Sequence, residues 1–261
     1  MEDEMDFTGY KLPLWLVRII NWKYINKCII CPINSLRSPI KIAVYGESGV
    51  GKTEFINSII KSGHHAKKMT RDIERGNELT LPNGRRIEFI DTPGQPSYRS
   101  RRLRLFKDYT KGEIKGIIHV VSYGYLSKEP ISGNEFYDAR TNKIKESFLT
   151  NNRQLELDGM DEWLAILSGD FSVKWVLTVV NKADLWYSDE AAVTKYYNEG
   201  DYCKKISKVN GSCKSCLQFY CSTFKAFLGH SLPQVLSSEE QEVFHKELMQ
   251  ELYKLSHFSE G

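Results

Sequence analysis

The sequence contains no apolar run long enough to cross a lipid bilayer. Among its 261 residues, the longest stretch without Asp, Glu, Lys or Arg spans residues 226–238 and is interrupted by Gly229 and Pro233. A spanning helix needs about 20 predominantly apolar residues. The amino-terminal segment Met-Glu-Asp-Glu-Met-Asp is acidic, whereas a secretory signal peptide begins with basic residues. These absences predict a cytoplasmic protein.

The chain also has little net charge and few cysteines. Its 36 Lys and Arg residues nearly balance its 33 Asp and Glu residues, so the net charge is +3 and no specific nucleic acid is expected as a partner. The 6 cysteines are expected to be reduced in the cytoplasm. The pairs Cys28-x-x-Cys31 and Cys213-x-x-Cys216 leave a four-cysteine zinc site as the alternative.

Residues 1–38 differ from the rest of the chain and form an amino-terminal prefix. Within it, residues 12–30 are rich in Leu, Ile and Trp, and Pro13 suits the first turn of a helix. We therefore predict a helical prefix that packs on the following domain. The tryptophans and basic residues of this stretch leave a peripheral contact with a membrane surface as the alternative.

Strand-like and helix-like patterns alternate through residues 39–261, which we predict to be one domain. Strands are expected at residues 40–45, 77–81, 85–90, 116–121, 173–180 and 217–221. Helices are expected at residues 53–61, 98–110, 158–167 and from Ser238, which with Gln241 would form a capping box.

This order of elements predicts an α/β fold of three layers. We expect a mostly parallel six-stranded sheet with helices on both faces. One strand is expected to be antiparallel, because Asn83-Gly84 favours a tight hairpin turn between two of the runs. Residues 123–152 exceed a common connection length, and they indicate either a disordered loop or an insertion that faces an effector.

The strongest functional signal lies between the first strand and the first helix of this domain. It is the segment Gly46-Glu47-Ser48-Gly49-Val50-Gly51-Lys52-Thr53. Its pattern, G-x-x-x-x-G-K-[ST], is typical of a loop whose backbone N–H groups surround phosphates at a helix N-terminus. We expect Lys52 to contact the β- and γ-phosphates and the Thr53 hydroxyl to bind Mg²⁺.

Two further segments follow predicted strands and indicate which nucleotide is bound. In Asp91-Thr92-Pro93-Gly94-Gln95, the carboxylate of Asp91 can hold Mg²⁺ through water, and the Gly94 N–H can meet a γ-phosphate. In Asn181-Lys182-Ala183-Asp184, the Asp184 carboxylate can accept hydrogen bonds from N1–H and the 2-amino group of guanine. Adenine offers neither donor, so an ATPase or small-molecule kinase conflicts with this segment.

These segments resemble the first, third and fourth motifs of P-loop GTPases of the Ras-like and translation-factor-like (TRAFAC) class. The resemblance implies a small-GTPase-like domain that binds GTP or GDP with Mg²⁺ and has two switch loops. It also implies that Lys182 lies along the base and ribose. The fifth motif would be Ser222-Thr223, whose backbone contacts the guanine oxygen, although Thr223 stands where the family usually has Ala.

The resemblance further implies two residues for hydrolysis. Thr70 lies where the Mg²⁺-binding threonine of the second motif belongs, and Thr80 is the alternative. Gln95 is similar to the glutamine that orients the attacking water. Pro96, which follows it, departs from the pattern, so Gln95 can also be an exposed loop residue without a catalytic role.

The sequence therefore predicts a GTPase that hydrolyses GTP to GDP and phosphate with Mg²⁺. Because such domains alone hydrolyse slowly, we expect a molecular switch that acts through an unidentified protein effector or activator. The alternative is a GTP-binding scaffold with negligible hydrolysis, docked to a membrane or a partner by its prefix.

Overall fold

The structure is a computed structural model that describes most of the chain. The described residues are 4–7, 10–13, 38–60, 74–94, 114–127, 136–141, 143–167, 173–208, 214–222, 227–228 and 236–259. Two compact units are distinguished. The first comprises Met1–Pro39 and Glu78–Ile87, and the second comprises Ile40–Asn77 and Glu88–Gly261. All the motifs that predict nucleotide binding fall in the second unit.

The first unit contains an antiparallel hairpin near the amino terminus. Strand β1 (Glu4–Phe7) pairs with β2 (Tyr10–Pro13), and Glu4 lies opposite Pro13. The prediction that Pro13 occupies a first helical turn is wrong, because Pro13 is the last residue of β2. The φ angle to which proline is restricted is also compatible with the end of a strand. The remainder of the predicted helical prefix, residues 14–37, lies outside the described residues.

A second hairpin turn in this unit follows the predicted Asn-Gly signal. The Leu81 N–H donates to the Arg85 carbonyl at 2.8 Å, and the Gly84 N–H donates to the Leu81 carbonyl at 2.9 Å. Gly84 has φ +78°, a conformation that glycine adopts without a steric penalty. The turn joins β4 (Glu74–Thr80) to β5 (Arg86–Asp91).

The predicted six-stranded sheet is confirmed. Its order is β10-β9-β6-β3-β5-β4. The strands not yet given are β3 (Ile40–Tyr45), β6 (Ile114–Val121), β9 (Trp175–Val180) and β10 (Lys214–Phe219). The pairs β3–β6, β6–β9 and β9–β10 are parallel, and the sheet contains one antiparallel pair. This arrangement agrees with the predicted P-loop fold.

The central strands are buried because their sequences are almost continuously apolar. All six residues of β9 are buried, as expected for a parallel strand covered on both faces. In β6, Gly116 leaves room for the indole of Trp175, since a Cβ at Gly116 would lie 2.1 Å from that ring. The neighbouring strands can therefore pair at normal separation around a large aromatic side chain.

Helices cover this sheet. They are α1 (Lys52–Ile60), α2 (Glu146–Leu167), α3 (Ala183–Trp186), α4 (Glu190–Glu199), α5 (Asp201–Ile206) and α6 (Ser238–Phe258). Of the helices in the described residues, none is long and apolar enough to span a bilayer. The predicted helix at residues 98–110 lies outside the described part of the chain.

Helix α2 begins well before the predicted residue 158. Residues 150–154 of this helix are all polar, and they interrupt the apolar period between Leu149 and its second half. A two-stranded hairpin of β7 (Tyr137–Asp138) and β8 (Lys143–Ile144) precedes it. Leu126, Phe136 and Leu149 are buried in the core. These described residues of the 123–152 segment contribute to the core, whereas an insertion that faces an effector stays a prediction.

The capping box of α6 lies one residue earlier than predicted. The Ser237 hydroxyl accepts a hydrogen bond from the Glu240 N–H at 3.2 Å, and the Glu240 carboxylate accepts one from the Ser237 N–H at 2.7 Å. The predicted pair, Ser238 and Gln241, differs from this pair in charge. In the observed register the group that accepts from the N-cap N–H is the Glu240 carboxylate, which forms a stronger, charge-assisted hydrogen bond than the Gln241 amide would.

Replacing the observed cap should weaken the fold more than replacing its neighbour. We expect Ser237→Ala to lower the free energy of unfolding by about 1 kcal/mol, since it removes the N-cap acceptor. For a domain of this size the melting temperature should fall by about 2–4 °C. Ser238→Ala is the matched control and should have almost no effect. Equal losses in the two variants, measured by thermal denaturation, would contradict the observed register.

Candidate nucleotide-binding site

The predicted motifs converge at the carboxyl-terminal edge of the sheet. The strands β6, β9 and β10 end in register there, with Val121 opposite Val180 and Val180 opposite Phe219. Residues 46–53, 91–94, 181–184 and 220–222 follow four of the strands at this edge. A crevice outside the carboxyl ends of parallel strands is the usual place for a ligand in such a sheet.

The loop between β3 and α1 contains backbone conformations that only glycine adopts readily. Gly49 and Gly51 have φ of +84° and +87°. A Cβ at Gly51 would lie 2.9 Å from Nδ2 of Asn181, so the loop also approaches its neighbour too closely for a side chain. Helix α1 starts directly after this loop, at Lys52. The N–H groups of its first turn lack partners within the helix and are suited to bind an anion.

The Lys52 ammonium folds back over this loop. Its Nζ donates to the Gly46 carbonyl at 2.7 Å and to the Glu47 carbonyl at 3.3 Å, and the side chain is buried. A Cβ at Gly94 would lie 2.5 Å from that Nζ and 2.8 Å from the backbone N of Ser48. Gly94 therefore lies against the loop and the ammonium, where the predicted γ-phosphate contact requires it.

Thr53 and Asp91 bring two oxygen ligands together. The Thr53 hydroxyl donates to Oδ2 of Asp91 at 2.8 Å. The adjacent Thr92 hydroxyl donates to the Val44 carbonyl at 2.7 Å, which fixes the segment that carries Asp91. A hydroxyl and a buried carboxylate form the kind of hard oxygen donor set that Mg²⁺ prefers. These residues fit the predicted metal, whereas Thr70 and Gln95 lie outside the described residues.

Asp184 stands on the other side of the site, in the first turn of α3. It is almost fully buried, and its Oδ1 accepts a hydrogen bond from the Cys221 thiol at 3.2 Å. Burial raises the pKa of the Asp184 carboxyl above its ordinary value, and the thiol acts in the opposite direction. The residue before this helix turn, Lys182, has φ +61°, which lets the chain turn sharply into α3.

Asn181 links three segments of the site through the hydrogen bonds of its side-chain amide. Its Nδ2 donates to the Val50 carbonyl at 3.0 Å and to the Ser222 hydroxyl at 2.9 Å. Its Oδ1 accepts from the Ser222 N–H at 3.0 Å. The phosphate loop and the predicted fifth motif are thus held by one buried amide. Thr223, the second residue of that motif, lies outside the described residues.

The Lys182 ammonium is fully buried and has three oxygen acceptors. Nζ donates to the carbonyls of Gly49 and Tyr125, both at 2.6 Å, and to the Ser127 hydroxyl at 2.8 Å. Burial lowers the pKa of Lys182 to about 7, while the Asp184 carboxylate acts to raise it. The loop after β6, residues 122–127, therefore belongs to the site, although no motif in the sequence marked it.

Glu156 on α2 anchors this loop. Its Oε1 accepts from the Ser122 N–H at 2.8 Å and from the Ser122 hydroxyl at 3.1 Å, and Oε2 accepts from the Tyr197 hydroxyl at 3.3 Å. Burial raises the pKa of Glu156 to about 7. The sequence contains one signal for this role. Glu156 lies seven residues after Leu149 and four residues before Met160, so the three side chains share the buried face of α2.

The zinc alternative stays a prediction, because three of its four cysteines lie outside the described residues. No group of three or more His, Cys, Asp or Glu residues among them could hold a metal. Cys216 instead donates from its thiol to Glu251 at 3.2 Å, and burial raises the pKa of the Cys216 thiol to about 11. Cys28, Cys31 and Cys213 lie outside the described part of the chain.

The fold and the loop geometry define a P-loop nucleotide-binding protein, and the comparisons narrow the class. Residues 41–157 match the model of the family described as 50S ribosome-binding GTPase. No curated protein sequence matches the chain significantly. A solved structure, "The Structure of the Mammalian SRP Receptor", is 13% identical with a TM-score of 0.51, covering 82% of this chain and 99% of that chain. The family match and this similarity of fold support a P-loop GTPase.

Removing the Lys182 ammonium should destabilise the protein even without nucleotide. We expect Lys182→Met to lower the free energy of unfolding by about 2–4 kcal/mol, because it leaves buried oxygens of two loops without their donor. The matched control is Lys204→Met, since Lys204 forms an exposed pair with Asp201 and should contribute little. Urea denaturation of the nucleotide-free proteins measures both. A similar loss in the two variants would contradict the linking role of Lys182.

Proposed function

We propose that this protein binds GTP with Mg²⁺ and hydrolyses it to GDP and phosphate as a molecular switch. The observation that carries the proposal is the convergence of a phosphate loop, an oxygen donor pair and a buried base-reading carboxylate at one edge of the sheet. The match of residues 41–157 to a GTPase family supports the same conclusion.

The two ends of the site bind different parts of the nucleotide. The Lys52 ammonium and the N–H groups of residues 46–53 bind the β- and γ-phosphates, with the Gly94 N–H adding a donor for the γ-phosphate. Asp184 accepts hydrogen bonds from N1–H and the 2-amino group of guanine. Lys182 lies along the base and ribose, and the backbone of Ser222-Thr223 meets the guanine oxygen.

Three oxygen-bearing side chains would hold Mg²⁺. They are Thr53, Thr70 and Asp91, with Asp91 acting through water. When bound, the ion neutralises charge on the β- and γ-phosphate oxygens. Asp91 is positioned for this by the Thr53 hydroxyl at 2.8 Å, which orients its Oδ2 toward the end of the phosphate loop.

Hydrolysis needs an in-line water and stabilisation of the charge that develops on the phosphate. Gln95, one residue beyond Gly94, orients the water, and Lys52 with the loop N–H groups stabilises the charge. A domain of this kind turns over slowly by itself, so we propose that a protein effector or activator reads its nucleotide state. We place this activity in the cytoplasm.

Guanine selectivity tests the binding half of the proposal. The protein should bind GTP and not ATP. Asp184→Asn should weaken GTP binding by about tenfold or more and should favour XTP, because an amide N–H can donate to the 2-oxo group of xanthine. Asp189→Asn, at an exposed position in the Tyr187–Asp189 turn, is the matched control. Tight binding of ATP without binding of GTP, measured by calorimetric titration, would overturn the proposal.

A single-turnover assay tests the hydrolytic half. Gln95→Ala should slow phosphate release from bound GTP by about 10²-fold, since the attacking water loses its orientation. Gln154→Ala is the control, because Gln154 is exposed on α2 and bonds to Asp158. Equal rates for wild type and Gln95→Ala, with GTP binding retained, would instead favour a GTP-binding scaffold that does not depend on hydrolysis.

A further inference from the structure

Cys221 and Asp184 form a buried contact on the base side of the site. The Cys221 thiol donates to Oδ1 of Asp184 at 3.2 Å. The backbone ties the same two segments together, because the Ala183 N–H donates to the Tyr220 carbonyl at 3.1 Å. This bond between the neighbouring residues keeps the segment of the thiol beside the carboxylate that the proposed function assigns to guanine.

We propose that Cys221 is a specificity-determining positioning residue, which fixes the orientation of the Asp184 carboxylate for the two donors of guanine. The inference rests on the proposed function and deepens it. Guanine presents N1–H and its 2-amino group in one plane, so the carboxylate must lie in that plane to accept both. Rotation of the carboxylate about its Cβ–Cγ bond moves the two oxygens to opposite sides of that plane and weakens both hydrogen bonds, so guanine loses two contacts where a base with N1–H alone loses one.

The thiol contact is compatible with a bound base. Each carboxylate oxygen carries two lone pairs, so Oδ1 can accept from the thiol and still accept from the base. The hydrogen bond from the thiol also favours the ionised carboxylate, which is the form that accepts both guanine donors. Burial of Asp184 acts against that form, because it raises the pKa of the carboxyl.

The other nearby cation does not orient this carboxylate. The Lys182 ammonium directs its hydrogen bonds to Gly49, Tyr125 and Ser127. Lys182 therefore influences Asp184 through charge at a distance and sets no angle for it. Among the described residues, the Asp184 carboxylate accepts hydrogen bonds from the Cys221 thiol and from its own backbone N–H, so the side chain that contributes to its orientation is Cys221.

A second thiol–carboxylate pair in the same domain provides a matched control. Cys216 lies in β10 and donates to Oε1 of Glu251 on α6 at 3.2 Å, the same separation as between Cys221 and Asp184. Cys216 is paired with Leu177 within the sheet, before the strand reaches the edge that carries the motifs. Removing this thiol tests the loss of a similar bond away from the base.

The experiment compares affinities for GDP and IDP, because inosine lacks the 2-amino group. Equilibrium titrations of the full chain use wild type, Cys221→Ala, Cys221→Ser and Cys216→Ala. Cys221→Ala should reduce the preference for GDP over IDP by about three- to tenfold, the range expected for loss of one hydrogen bond. Cys221→Ser, which keeps a donor, should retain most of the preference, and Cys216→Ala should retain all of it.

A pH series provides an independent readout. GDP affinity should fall on the acid side as Asp184 is protonated, and this limb should move to higher pH in Cys221→Ala but not in Cys216→Ala. If Cys221→Ala does not fold, the pair Cys221→Val and Cys221→Thr, which differ by a hydroxyl at similar volume, repeats the comparison. Retained selectivity in both Cys221→Ala and Cys221→Val, or equal losses for GDP and IDP, would overturn the inference. Failure of wild type to bind GDP would overturn the proposed function itself.

Discussion

The buried ammonium of Lys182 is the interaction on which the site depends. It lies in the protein interior, where an ionised group is strongly unfavourable unless its hydrogen bonds are complete. Its three acceptors come from the phosphate loop and from the loop after β6. The charged state of one side chain therefore requires two loops to keep their positions. The loops therefore have few alternative conformations, because a conformation that moves an acceptor away leaves the Lys182 ammonium without that hydrogen bond.

Around this ammonium, polar contacts connect the phosphate side of the site to the base side. Asn181 joins Val50 in the phosphate loop to Ser222 after β10. Glu156 holds the loop after β6 from the opposite side, through Ser122. The phosphate side and the base side are therefore joined by buried hydrogen bonds rather than by exposed chain alone.

How much could be predicted depends on whether a feature is local. The phosphate loop and the apolar strands are local, so Gly46–Lys52 spacing and the run of β9 predicted them well. The prefix was misjudged at Pro13 because proline is allowed both in a first helical turn and at a strand end. The predicted N-cap of α6 is one residue too late, because Ser237 and Ser238 are adjacent and either serine can cap a helix. The two registers differ in whether Glu240 or Gln241 accepts from the N-cap N–H. The role of Glu156 was not predicted, because it depends on which loop packs against α2, and that is a property of the tertiary structure.

The same reasoning explains why this protein should depend on its ligand for stability. Lys52, Lys182, Asp91 and Asp184, which belong to the motifs at this edge of the sheet, are all buried. The Lys52 ammonium donates to the carbonyls of Gly46 and Glu47, which carry only partial charge, whereas phosphates would carry full charges of the opposite sign. A bound nucleotide would therefore add charge-assisted hydrogen bonds to this ammonium. Since binding to the folded state adds stability in proportion to the logarithm of ligand concentration, the geometry that reads the nucleotide also links it to folding.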